Sequence, residues 1–312
     1  MPSFFLGQSK DFWIERRLFL RPNRGFIFPK VKILRGKLVD YRSATNRCDG
    51  INWGTHVSGA KMNTLGKTLS KVPEVTLAFW IIKILATTLG ETGGDAVTMS
   101  MNLGYLIGTG IFAVIFFAAV VIQVSAKKFH PVIYWITIVA TTTVGTTMAD
   151  YADRSMGIGY AGGTALLFGL VMISLFLWYR TMGSISVNSV NSPKTEAFYW
   201  VTIMFSQTLG TALGDWMSDN AGFGYLGSAL VFGVLLALIA AAYYWTKISR
   251  VALFWTAFIL TRPLGAVVGD FLDKPHSHGG LDLSRFSASG VLLAMMVGFI
   301  FLFPQRAAEK SH

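Results

Sequence analysis

The chain has 312 residues, of which 53% are hydrophobic and only 14% charged. A soluble domain carries about 25% charged residues, so this composition excludes an ordinary soluble enzyme and points to a membrane-embedded bundle. The net charge of +11 is unevenly spread: residues 1–61 hold 12 Lys/Arg against 4 Asp/Glu, and residues 62–312 hold 15 against 12.

Residues 1–61 mix aromatic, basic and Gly/Asn/Ser residues without a sustained period. Charges interrupt every apolar run, so no cleavable signal peptide is expected. The composition predicts a disordered extension, or sequence upstream of an alternative start at Met62. A basic arm on anionic lipid and a nucleic-acid-binding tail are the other readings, and for the protein as a whole no nucleic-acid partner is expected. Cys48 is the only cysteine, which excludes an intrachain disulfide and a thiolate metal cluster.

Residues 62–304 form the membrane body, and an internal repeat defines its fold. Four segments align without gaps: FWIIKILATTLGETGGD around Trp80, YWITIVATTTVGTTMAD around Trp135, YWVTIMFSQTLGTALGD around Trp200 and FWTAFILTRPLGAVVGD around Trp255. Gly90, Gly145, Gly210 and Gly265 match, and so do Asp95, Asp150, Asp215 and Asp270. The offsets are 55, 65 and 55 residues, the longer one accounted for by the polar stretch 184–194. Each copy continues into a second apolar run. The fold class predicted is therefore all-α, with eight transmembrane helices in four tandem helical hairpins (repeats about 75–124, 132–179, 197–245 and 251–303). The spans are expected near 75–97, 104–124, 132–153, 159–179, 197–217, 224–245, 251–271 and 286–303, followed by a cytoplasmic tail, 305–312.

Lys/Arg bias sets the orientation. The side of the inter-repeat loops holds ten basic residues, and the side of the short turns holds only Arg154, Lys274 and Arg285. This predicts both termini in the cytoplasm, the Asp-bearing turns outside, and four repeats in parallel orientation in membrane lipid.

Within each copy Gly-x-x-x-Gly/Ala runs into the Asp: Gly90/Gly94, Gly145/Ala149, Gly210/Gly214 and Gly265/Gly269. Small residues four apart let helices approach closely, which would draw the Asp-bearing helices together. Trp80 to Asp95 is 15 residues, roughly 22 Å of helix, so the Asp falls in the outer third of the membrane. An acid there is costly unless it meets water, a cation or a partner. Glu91 lies one turn before Asp95. Asp153, Asp219 and Asp273 lie one turn after Asp150, Asp215 and Asp270, so every copy pairs two acids. The bland alternative is that these acids end their helices and cap the next ones.

Arg262, beside Pro263, is expected to act as a fixed counter-charge for the acids, with Pro263 kinking its helix. Lys83 is expected to snorkel to the inner interface. Thr87, Thr88, Thr142, Thr143, Gln207 and Thr208 either line a path or bond back to their own helices. Carboxylate and hydroxyl ligands suit hard cations such as Mn²⁺, Mg²⁺ or Ca²⁺. His276 and His278, near Asp273 and Asp282, are a second place where a transition metal could bind.

With the four Trp, the four Gly-x-x-x-small-Asp segments and Lys71-Val72-Pro73-Glu74-Val75 in view, the chain resembles a bacterial group of uncharacterised membrane-anchored proteins. These are built of four tandem repeats of unknown function, each with two transmembrane regions and a Trp. The resemblance covers about 62–304 and implies an architecture, not a substrate. It leaves residues 1–61 outside, and Arg262-Pro263 and the longer turn set the fourth repeat apart.

No phosphate-binding loop, His-Glu-x-x-His or nucleophile elbow is present in the sequence, so neither an enzyme nor a cofactor is expected. The reading is an inner-membrane transporter of a divalent cation such as Mn²⁺, exchanged against protons. Asp95, Asp150, Asp215 and Asp270 would form the metal site, with Glu91, Asp153, Asp219 and Asp273 as second carboxylates and Arg262 tuning their charge. A cation or proton channel, or a membrane enzyme or accessory protein acting on envelope components, are the alternatives.

Overall fold

The computed structural model describes residues 70–308 and, further upstream, the backbone of 32–34 and 37–39. The chain divides into two compact units, Met1–Gly66 and Lys67–His312. In the first, the described residues form an antiparallel strand pair, β1 (Lys32–Leu34) with β2 (Lys37–Val39). The expectation of a disordered or non-native extension over 1–61 otherwise lies outside the described residues.

The second unit has eight α-helices among its described residues: α1 (Leu77–Asp95), α2 (Gly104–Ser125), α3 (Pro131–Asp150), α4 (Tyr160–Met182), α5 (Pro193–Asp215), α6 (Gly224–Trp245), α7 (Arg250–Asp273) and α8 (Arg285–Leu302). Each lies within a few residues of an expected span. Pro263 does not end α7, which runs unbroken to Asp273. Six helices, all but α1 and α5, are long and apolar enough to cross a membrane. The other two are 19 and 23 residues long but spend their composition on interior polar groups such as Lys83, Glu91, Glu196 and Gln207, all buried.

Helices α1, α3, α5 and α7 form a closed inner ring, each packed on the next and α7 on α1. The outer helices correct the hairpin expectation. Helix α2 packs on α3, α4 on α5, α6 on α7, and α8 returns to α1. Each repeat thus gives its second helix to the first helix of its successor. The reason lies in the faces. The outer helices are almost wholly apolar, with Leu106, Val114, Phe117, Leu230, Val234 and Leu238 exposed, a surface suited to lipid. The inner helices bring their glycines and polar residues to one another.

Equivalent residues stack in layers. At one end the aromatic residue before each Trp meets the Trp of the next repeat. Phe79 lies 5.5 Å from Trp135, Tyr134 5.9 Å from Trp200, Tyr199 6.3 Å from Trp255 and Phe254 5.8 Å from Trp80, between ring centroids. Ten residues beyond each Trp, the glycine receives a side chain from the next inner helix. A Cβ would collide with Thr142 at Gly90, with Arg262 at Gly210 and with Thr87 at Gly265, and would come within 3.0 Å of Gln207 at Gly145. Those four neighbours are themselves repeat-equivalent, so the ring closes with one geometry four times.

The aromatic end is held together by the segment before α1. Ser70 Oγ donates to the Val187 carbonyl at 2.7 Å, and Lys71 pairs with buried Glu196 at 2.7 Å. Pro73 bridges to Ala307, and the Ala308 N–H donates to the Val72 carbonyl at 3.0 Å. The first and last described segments of this unit therefore meet at one end of the bundle.

Candidate functional site

Steps of four residues from the aromatic residue before each inner Trp (Phe79, Tyr134, Tyr199 and Phe254) keep side chains near one helix face, and they give the interior its chemistry. The layer nearest the aromatic end holds Lys83, Ile138, Ile203 and Phe258. The next holds Thr87, Thr142, Gln207 and Arg262. A third holds Glu91, Thr146, Thr211 and Ala266, and the last holds Asp95, Asp150, Asp215 and Asp270. All sixteen are buried.

Arg262 occupies the middle of this column. Its Nη2 donates to Glu91 Oε2 on α1 at 2.9 Å, to Thr146 Oγ1 on α3 and to Thr211 Oγ1 on α5. One guanidinium thus ties all four inner helices together. Its expected role as counter-charge is met by Glu91, which belongs to this deeper layer and not to a pair with Asp95 alone. Thr146 Oγ1 also reaches Glu91 Oε2 at 3.2 Å.

The four aspartates come from the last turn of α1, α3, α5 and late α7. In the first three repeats the helix passes there into a π-helical turn, Ala96–Ser100, Tyr151–Ser155 and Trp216–Asn220. Such turns are frequent at functional sites. Two cations span neighbouring repeats. Arg154 Nε lies 3.1 Å from Asp150 Oδ1 and its Nη2 3.4 Å from Asp215 Oδ2. Lys274 Nζ pairs with Asp95 Oδ2 and lies 3.1 Å from Asp270 Oδ1 and 4.0 Å from Asp273 Oδ1. Arg285 Nε closes on Asp273 at 3.0 Å and approaches Asp95 at 3.9 Å. Burial pushes the Lys274 ammonium toward a lower pKa, but Asp270, Asp95 and Asp273 push it up further, leaving it well above the ordinary lysine value. A shallow cavity lined by Ser100, Asp273, Asp282 and Arg285 opens beside this layer.

Among the described residues, two carboxylate groupings are close enough to share one cation: Glu91, Asp95 and Asp150, and Asp95, Asp270 and Asp273, each set with oxygens within 4.8 Å of one another. Asp95 belongs to both, and its Oδ1 is buried without a hydrogen-bond partner. All donors are hard oxygens, which fit Mn²⁺, Mg²⁺ or Ca²⁺.

Of the nine expected site residues, the structure gathers seven: Asp95, Asp150, Asp215, Asp270, Glu91, Asp273 and Arg262. Asp153 and Asp219 fall outside. Asp153 is half-buried and leans on α4, its Oδ1 2.6 Å from where a Cβ on Gly163 would sit, and Asp219 is exposed. The π-helical turns take them off the inner face. His276 and His278 also stay apart, His276 Nδ1 contacting the Gly280 carbonyl at 2.8 Å and His278 Nδ1 contacting Ser277 Oγ at 3.1 Å. Lys83 does not snorkel. It is fully buried, its Nζ 4.3 Å from the centre of the Phe258 ring. Thr87 and Thr142 bond back to their own helices and also to the neighbouring one, at the Thr261 and Ala86 carbonyls.

A family model described as a Repeat of Unknown Function (DUF347) matches the chain four times, over residues 78–129, 133–184, 198–249 and 253–306. The chain belongs to this family. The matched copies coincide with the four helix pairs, so each DUF347 repeat contributes one inner helix with its Trp and Asp and one outer helix. No curated protein and no solved structure matches the chain.

Proposed function

We propose that this DUF347 protein is a carrier for a divalent cation such as Mn²⁺, exchanged against protons. In this reading all eight helices cross the bacterial inner membrane, with both termini in the cytoplasm and the acid layer near the outer face. The observation that supports it most is a charge deficit. Six acids share the two inner layers and their rim (Glu91, Asp95, Asp150, Asp215, Asp270 and Asp273), and four cations face them (Arg154, Arg262, Lys274 and Arg285). Fully ionised, the cluster is short of two positive charges, the charge of one divalent cation or of two protons. Uncompensated buried charge is strongly disfavoured, so binding one and releasing the other would keep the cluster neutral. Arg262 across the interior and the aromatic layer beyond it favour an occluded carrier site over a continuously open pore.

The test is flux into liposomes loaded with a divalent-cation-sensitive dye, with a pH gradient imposed. Wild-type protein is expected to move Mn²⁺ and to acidify or alkalinise the lumen in step. Asp95→Asn, which affects both carboxylate groupings, is expected to lower the rate at least about tenfold, by analogy with the cost of losing one buried charge partner. Folded wild-type protein that moves no divalent cation sinks the reading.

A further inference from the structure

The other end of the polar column is built for the opposite charge. Lys83 and Arg262 are both fully buried, and the acid that pairs with Arg262 is Glu91, through Nη2 alone. Lys83 Nζ has no hydrogen-bond acceptor, and Arg262 Nε and Nη1 have none either. In the same layer as Arg262, on α5, both polar atoms of the Gln207 amide are buried and unpartnered, as is Ser206 Oγ next to it. The rest of the Lys83 layer is Ile138, Ile203 and Phe258. Lys83, Arg262 and the Gln207 amide thus leave nitrogens unpartnered in two adjacent layers that hold no carboxylate, the first of them otherwise apolar.

Orphaned donors of this kind are costly. A buried polar group without a partner gives up its hydration uncompensated, the more so if charged, and native proteins retain few of them without a reason. The Phe258 ring offers Lys83 a weak cation–π contact, which does not replace an acceptor. The unmet nitrogens, Lys83 Nζ, Arg262 Nε and Nη1 and Gln207 Nε2, outnumber the unmet oxygens, Gln207 Oε1 and Ser206 Oγ, and a guanidinium is among them, so the complementary ligand is an anion. It must be small, because every donor named is sealed from solvent, and weakly hydrated, because the walls are Ile and Phe.

We infer that the interior between Lys83 and Arg262 is a binding site for a halide, chloride by abundance, held by Lys83 Nζ, the Gln207 amide N–H and the free edge of the Arg262 guanidinium. The site is distinct from the acid layer, and the inference does not rest on the carrier reading.

It is tested by equilibrium binding of radiolabelled chloride to the full chain in detergent, at constant ionic strength with gluconate as the replacement anion. Saturable binding is expected, competed by bromide and not by sulfate, whose size and hydration the site excludes. Lys83→Met and Gln207→Leu are each expected to weaken it at least about tenfold. Lys83→Met replaces a buried charge with an apolar chain of similar length, a change that folded proteins commonly tolerate; if it is not monodisperse, Gln207→Leu decides. Absence of saturable binding by the wild-type chain overturns the proposal in favour of a neutral Lys83 amine. Wild-type affinity in the variants overturns it in favour of a site elsewhere. Cation flux plays no part in the readout, so failure here leaves the carrier reading to its own test.

Discussion

Lys274 is a single ammonium set among Asp95, Asp270 and Asp273, and its removal separates a structural ion cluster from an exchangeable one. Lys274→Met raises the charge deficit of the cluster from two to three. Breaking a buried pair by removing one partner costs about 3–5 kcal/mol, so the apo variant is expected to unfold well below the wild type. If a cation binds at these acids, Mn²⁺ should restore more stability to Lys274→Met than it adds to the wild type, because binding to the native state alone raises stability. Thermal unfolding in detergent, with and without Mn²⁺, reads this directly; equal shifts in both proteins would place any bound cation elsewhere. Lys274 and Arg154 were legible as partners, since each stands four residues after a repeat Asp, the spacing of a helical ion pair. Counting them only as turn charges hid that role. The Arg262–Glu91 contact was half legible: an interior arginine demands an acid, but a sequence offers eight candidates and no layer. Asp153 and Asp219 were misplaced because one-turn spacing assumes an α-helix, and the π-helical turn after each Asp rotates the next residues away.

At the scale of the element, the glycine columns decide how closely the inner helices approach. Gly210 faces the Arg262 side chain on α7, whose Cβ and Cγ occupy the space a Cβ would need. Gly93, on α1, has open space at the same test. Gly210→Ala is therefore expected to destabilise by about 1–3 kcal/mol, the usual cost of overpacking, and to disturb the guanidinium. Gly93→Ala should be neutral or gain up to about 1 kcal/mol from the lower chain entropy of alanine in a helix. Denaturant titration of the two variants in mixed micelles distinguishes them, and equal effects would mean that the inner ring is less tightly closed than described. The helices themselves were readable to within a few residues, because Gly-Tyr starts in three repeats, polar linkers and apolar runs mark their boundaries. Their pairing was not. A short turn suggests that two consecutive helices pack on each other, yet Gly90 meets Thr142 of the next repeat and not its own second helix, a choice set by the shape of the inner faces.

At the largest scale the helical unit, Lys67–His312, is a ring closed by exchange between its halves. Helix α4 ends the first half and packs on α5, which begins the second; α8 ends the second half and packs on α1. Ser289 Oγ and Thr92 Oγ1, 2.8 Å apart, mark the closing contact between α8 and α1. Each half therefore lacks the covering helix of its own first member and supplies the one its partner lacks. The charges follow the same division. Arg154 in the second repeat reaches forward to Asp215 in the third, and Lys274 in the fourth reaches around to Asp95 in the first. A half chain alone would expose Glu91 without Arg262 and Asp215 without Arg154, besides an uncovered inner face on α1 or α5. Residues 67–188 and 189–312, made separately, are thus expected to be unstable as monomers, and made together they should assemble one to one. Co-purification through a tag on either half, followed by measurement of the complex mass in detergent, checks this. A first half that is monodisperse and monomeric by itself would show that the outer helix folds back onto its own repeat, and the layered exchange would have to be abandoned. Self-association of that half into a pair is the informative intermediate result. Its α4 would then cover α1 of a second copy, giving the symmetric ancestor that the 55–65–55 spacing of the four tryptophans implies.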